Sequence, residues 1–152
     1  MNEPRLTITR RHLPHWTLRG STYYVTFHLA AGELSAEQRR LVLTHVKSGH
    51  GRFYDLAAAV VMPDHVHVIL KPRSDFTLSN ILKGIKGVAA RLLNQQRNTC
   101  GRVWQEESWD RILRSADEFD EKLQYMYENP VRAGLVDDGS AYDGWYCNPD
   151  FV

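Results

Sequence analysis

The sequence contains only two cysteines, Cys100 and Cys147, far apart and outside any Cys-x-x-Cys spacing. That excludes a disulfide framework and a zinc knuckle, and both thiols read as incidental. No apolar run approaches the ~20 residues that cross a bilayer. The charged N-terminus, Met1 to Arg11, is not followed by the apolar region of a signal peptide, so a cytoplasmic protein without a membrane partner is the expectation. An excess of one charge is missing too: 19 Lys and Arg against 18 Asp and Glu give a formal net charge of +1. Any nucleic-acid affinity must then come from local clustering. No repeat, low-complexity tract or Gly/Ser linker is visible in the 152 residues. The length suits one domain with one core over the whole of 1–152.

What is present is a regular alternation of apolar patterns. Thr22 to Leu29 is β-branched and aromatic, and Ser35-Ala-Glu-Gln38 is a capping box that opens a helix to about His50. Ala57 to Met62 and His65 to Lys71 read as a hairpin about Pro63-Asp64, a dipeptide suited to a turn. Thr77 or Ser79 caps a long amphipathic helix ending near Gln96. Val103 to Gln105 and Trp109 to Leu113 read as two short strands, and a third helix starts at Asp117 and is stopped after Asn129 by Pro130. The expected fold is α+β: a ferredoxin-like β-α-β-β-α-β antiparallel sheet, helices on one face, the other face free for a ligand, and an additional C-terminal helix bearing tyrosines. Residues 1–20 form an N-terminal arm and 137–152 an irregular tail.

In His65-Val66-His67-Val68 the strand period sends both imidazoles to one face, with Cβ atoms roughly 6–7 Å apart, and both valines to the other. Two histidines half-exposed on a sheet would need no further explanation. A polar pair opening a buried strand directly after a turn has no packing purpose, however, and suits a shared cation that needs a third ligand.

On the third helix Phe119, Leu123 and Met126 define the buried stripe. Tyr125 lies on one flank with Asn129, one turn further on, and Tyr127 on the opposite flank. If the Asn129 amide oxygen is a third ligand, Tyr125 is the tyrosine beside the metal. Tyrosines that flank an apolar stripe are otherwise packing residues with wet hydroxyls, and Asn before Pro is a common helix terminator.

Val61-Met-Pro-Asp-His-Val-His-Val-Ile-Leu70 resembles the strand motif of the HUH single-tyrosine transposases, with Asp64 where Asn is frequent. Trp104-Gln-Glu-Glu-Ser-Trp-Asp-Arg-Ile-Leu113 and Tyr125-Met-Tyr-Glu-Asn-Pro-Val-Arg-Ala-Gly-Leu-Val136 look like the downstream blocks of the REP-associated branch. The resemblance implies metal-binding roles for His65 and His67, a nucleophilic role for Tyr125 and a polar-ligand role for Asn129. It also implies a ferredoxin-like catalytic domain acting on single-stranded DNA hairpins of palindromic repeats.

The implied chemistry is cleavage and joining of DNA through a 5′-phosphotyrosine, assisted by a divalent cation, Mg²⁺ or Mn²⁺. A non-catalytic hairpin-binding regulator and a metal-dependent phosphodiesterase that uses water are the competing readings, and the sequence leaves monomer against homodimer open. For DNA contacts the sequence offers Arg10, Arg11 and Arg19 around Trp16, and Lys83, Lys86 and Arg91 on the second helix.

Overall fold

The computed structural model describes residues 20–151. In chain order the elements are β1 (Thr22–Leu29), α1 (Ala36–Ser48), β2 (Tyr54–Val61), β3 (His65–Pro72), α2 (Leu78–Arg97), β4 (Trp104–Leu113), α3 (Ala116–Arg132) and β5 (Trp145–Cys147). The strands form one sheet in the order β4-β1-β3-β2-β5, every pairing antiparallel. The first four strands with α1 and α2 are the ferredoxin-like arrangement anticipated from the pattern.

Local chemistry explains the boundaries. Ser35 accepts from the Gln38 backbone N–H while the Gln38 side chain takes the Ser35 N–H, which satisfies two donors that a helix start leaves open. Thr77, not Ser79, caps α2, which ends at Asn98 in the left-handed region with φ 55°. The Pro63-Asp64 turn is closed by Met62 N–H to the His65 carbonyl, 2.8 Å, and tied to the end of β1 by Leu29 N–H to the Asp64 carbonyl, 2.8 Å.

The two faces of the sheet are both used. Val25, Phe27, Val66, Val68 and Leu70 pack with Val42, Val46, Ile81, Ile85 and Leu93 of α1 and α2. On the opposite face Val60, Met62, Ile69 and Leu113 meet Phe119, Leu123 and Met126 of α3. The second face is therefore not simply open, as the pattern suggested: α3 lies across it.

Three boundaries differ from the expectation. The two short strands are one ten-residue strand, β4; as an edge strand it needs no apolar alternation, so Glu106-Glu107-Ser108 continue it without cost. The third helix does not stop at Asn129 but runs through Pro130 to Arg132. Pro130 is buried, and at the last turn its missing N–H forfeits a single helical bond. The tail is not irregular throughout, because β5 pairs Trp145 with Val60, Tyr146 with Ala59 and Cys147 with Ala58. Tyr142 donates to the Val61 carbonyl at 2.6 Å, and Phe151 stacks on Phe119 at 5.6 Å. Among the described residues no helix is long and apolar enough to cross a membrane.

Candidate active site

β3 presents His65 and His67 on the α3 face while Val66 and Val68 enter the core beneath α1 and α2, the division that a period of two dictates. The two imidazoles meet edge to face with centroids 4.7 Å apart. Each has its Nδ1 engaged. The Asp64 carboxylate lies 2.7 Å from His65 Nδ1. For His67 the partners are the hydroxyls of Thr26, 2.7 Å, and Tyr24, 3.0 Å. Both come from β1, where residues 24 and 26 share a face and Thr26 pairs directly opposite His67.

His67 is only 6% exposed and its Nε2 is buried without a hydrogen-bond partner. Burial, helped by the neighbouring His65 and His28 rings and the Lys122 ammonium, lowers its pKa from 6.5 to about 3. The ring is thus neutral at physiological pH. With Nδ1–H donating to Thr26, a lone pair at Nε2 is left pointing into the site, and a buried polar atom left in that state costs about 1–3 kcal/mol unless something binds it. Burial also raises the Tyr24 phenol to about 12, so it remains a hydroxyl.

α3 carries Tyr125 to this pair. Its ring centroid is 6.0 Å from that of His67, and the residue is 43% exposed. The Arg132 guanidinium lies over its outer side, 4.9 Å from the centroid. A depression of ≈ 320 Å³ beside it is lined by Glu121, Lys122, Gln124, Glu128 and Arg132. Asn129 is half-buried one turn along the same helix, its carbonyl accepting from Ala133 at 3.0 Å. Tyr127 is placed very differently: it is 6% exposed, donates to the Asp138 carboxylate at 2.7 Å and meets Trp145 edge to face.

Besides Tyr24 and Thr26, two further site neighbours were not singled out from sequence. His28 lies opposite His65 on β1 and stacks on it with centroids 5.3 Å apart. Trp109 of β4, opposite Thr26, meets His28 edge to face at 5.7 Å. The alternation of β1, which puts Tyr24, Thr26 and His28 on one face, was the available signal. Among the described residues no group of three or more His, Cys, Asp or Glu side chains is positioned to hold a metal ion. A cation on His65 and His67 would draw its other donors from an amide, water or a phosphate oxygen, as hard cations commonly do.

The basic residues proposed from sequence do not converge on this site. α2 packs on the other face of the sheet, so Lys83, Lys86 and Arg91 are carried away from the histidines. The Lys86 ammonium is moreover taken up by the carbonyls of Gln105, 2.9 Å, and Glu106, 3.2 Å, and by the Ser108 hydroxyl, 3.0 Å. It fastens α2 to β4, which leaves fewer of its donors for a phosphate. Arg10, Arg11, Trp16 and Arg19 lie outside the described residues. A cavity of ≈ 730 Å³ sits at the opposite end of β3 around Lys71, Arg73 and Phe76, remote from the imidazoles.

Comparison with known proteins gives a consistent result. A family model described as IS200-like transposase matches residues 36–117, a stretch that includes His65 and His67 and ends before Tyr125. The REP-associated tyrosine transposase of Escherichia coli K12 is 27% identical over 125 residues, covering 78% of this chain and 72% of that protein. A putative REP-associated tyrosine transposase of Haemophilus influenzae is 26% identical over 94 residues, covering 55% and 53%. Among solved structures, a REP-associated tyrosine transposase bound to a REP hairpin superposes with TM-score 0.65 at 24% identity, over 92% of this chain and 79% of that one. A putative transposase from Deinococcus radiodurans gives 0.51 at 19%, over 78% and 96%. At these identities the structural likeness speaks to the fold.

Proposed function

The chain belongs to the IS200-like transposase family, and from that premise we propose that it cuts and rejoins single-stranded DNA at a hairpin, using Tyr125 as nucleophile and a divalent cation, Mg²⁺ or Mn²⁺, on His65, His67 and Asn129. The observation that carries the reading is the approach of the Tyr125 ring to within 6.0 Å of His67, whose buried Nε2 has no partner. The hairpin substrate is suggested by the REP hairpin bound to the structural relative.

The donors suit such an ion: two imidazoles whose Nδ1 atoms are engaged by other partners so that Nε2 is available, and an amide oxygen one turn from the tyrosine. When bound, the ion would supply Lewis-acid polarisation of a non-bridging phosphate oxygen. In the reaction the Tyr125 oxygen attacks phosphorus and gives up its proton to solvent, forming the P–O(Tyr) bond. The bond from phosphorus to the 3′ oxygen breaks, and that oxygen leaves and takes a proton as the free 3′-hydroxyl. The chain then holds a 5′-phosphotyrosine that keeps the energy of the phosphodiester, so attack by a 3′-hydroxyl reverses the step as joining. Arg132, itself paired with Glu128, packs on the Tyr125 ring and helps to fix its position.

The test is incubation with Mn²⁺ or Mg²⁺ and single-stranded hairpins drawn from the DNA flanking its own gene, followed by denaturing electrophoresis. A protein–DNA adduct that forms with the wild type and is lost in Tyr125→Phe, while hairpin binding persists, is expected. Cleavage that survives Tyr125→Phe would point to water as the nucleophile and sink the covalent reading. Binding without cleavage on every flanking hairpin would favour a regulator.

A further inference from the structure

The rings on the α3 face do not end at the histidines. From Tyr125 they continue through His67 and His65 to His28 and then to Trp109, with successive centroids 6.0, 4.7, 5.3 and 5.7 Å apart. The last member is the anomaly. Trp109 is 53% exposed, more than any other large hydrophobic residue described. The other tryptophan of the same strand shows what packing does with an indole: Trp104 is buried, meets Phe27 edge to face and donates to the Lys86 carbonyl at 3.1 Å. Trp109 faces the opposite side, on the outer edge strand, and α3 reaches only the far end of β4, where Leu113 joins its core.

We propose that Trp109, backed by His28, is a stacking platform for one unpaired base of the DNA strand, beside the bond that is cut. The inference rests on the proposed function and adds to it a binding subsite with a stated ligand class, a nucleobase in single-stranded DNA. The occupant follows from continuity. Thr26 has His67 as its cross-strand neighbour on one side and Trp109 on the other, so Trp109 is the next ring position out from the candidate metal ligands. A strand with its phosphate at the histidines would have an adjacent base within reach of an indole face. Stacking is sequence-tolerant, because every base has a π-face, and contributes about 1–3 kcal/mol per base. The edge-to-face contact with His28 fixes the indole plane, which lowers the ordering cost of binding.

The experiment compares Trp109→Ala and Trp109→Phe with wild type on two DNA probes in the presence of Mn²⁺: a hairpin carrying a short single-stranded tail, and the same hairpin blunt. Trp109→Ala is expected to weaken the tailed hairpin by about 10-fold or more and leave the blunt one unmoved, with Trp109→Phe retaining part of the difference. Moving a single abasic position along the tail should find one site at which wild type drops to the level of Trp109→Ala and the variant loses nothing further. Equal weakening of both probes, or no weakening of the tailed one, would overturn the proposal. So would a change in sedimentation without a tail effect, which would make the indole a contact between copies. A wild type that binds no hairpin retires this inference together with the proposed function, whereas normal wild-type binding and adduct formation with an unresponsive Trp109→Ala retires the platform alone.

Discussion

Thr26→Val removes one oxygen from the site and almost nothing else. Valine has the shape and the χ1 stiffness of threonine and suits a strand at least as well, so β1 keeps its course between Val25 and Phe27. What disappears is the 2.7 Å contact to His67 Nδ1, leaving only the Tyr24 hydroxyl at 3.0 Å. One net hydrogen bond contributes about 0.5–1.5 kcal/mol, so urea unfolding of metal-free Thr26→Val should show a loss near ~1 kcal/mol. Adding Tyr24→Phe strips Nδ1 of its second partner, and the loss in the double variant should exceed the sum of the singles, because a buried nitrogen left bare costs about 1–3 kcal/mol. The same two hydroxyls hold the ring so that Nε2 faces the site. Mn²⁺ affinity, read by electron paramagnetic resonance, should therefore fall about 10- to 100-fold in the double variant and recover in Thr26→Ser. Unchanged Mn²⁺ affinity in the double variant would refute the argument that these hydroxyls orient His67, whatever happened to stability.

Other consequences follow from the same coordinates. Folded His67 has its pKa at about 3 against 6.5 unfolded, so below pH 6.5 the unfolded chain takes up a proton that the folded chain refuses. Stability of the metal-free protein is then fully present above pH 6.5 and declines through this residue by about 1.4 kcal/mol per pH unit as pH falls toward 3; urea titrations of His67→Gln between about pH 4 and pH 6 should show a shallower slope by that amount. Tyr127→Phe should destabilise by about 1 kcal/mol through loss of the Asp138 bond and leave adduct formation intact, which gel assay and thermal melting together can check. Lys86→Met should lower the melting temperature by loosening α2 from β4, while the salt dependence of hairpin binding stays that of wild type; a shallower slope would return Lys86 to the list of phosphate contacts.

Most of the sheet was legible because its inner strands bury one or both faces: β1 and β3 have to alternate or run apolar, and the caps at Ser35 and Thr77 announce their helices. What escaped the sequence lies where burial stops dictating residue type. β4 is an edge strand whose middle is solvated, so Glu106 and Glu107 read as a break. β5 has only three residues and exists because β2 offers it an edge. Pro130 reads as a stop in the sequence, whereas at the last turn it costs one bond and gains a buried ring. Within the site, His65 and His67 were visible because they share a strand. His28 and Trp109 join them only through cross-strand register, which a single strand read alone does not reveal. Lys86 carried charge and helical position, and neither discloses that its ammonium is already enclosed by three acceptors.

The return of the chain from α3 to β2 has a kinetic meaning. Tyr142 and β5 fasten the segment after α3 to β2, Phe151 returns to Phe119 in the first turn of the helix, and Tyr127 bonds Asp138 beyond its last turn, so the helix that bears Tyr125 is tied to the sheet of its own chain. Groups that share one rigid frame meet at an effective concentration that no association between molecules supplies. For the proposed reaction this arrangement predicts a rate per molecule that does not change with protein concentration; single-turnover kinetics over a dilution series check it, and a rate per molecule that falls on dilution would place the two groups on different chains.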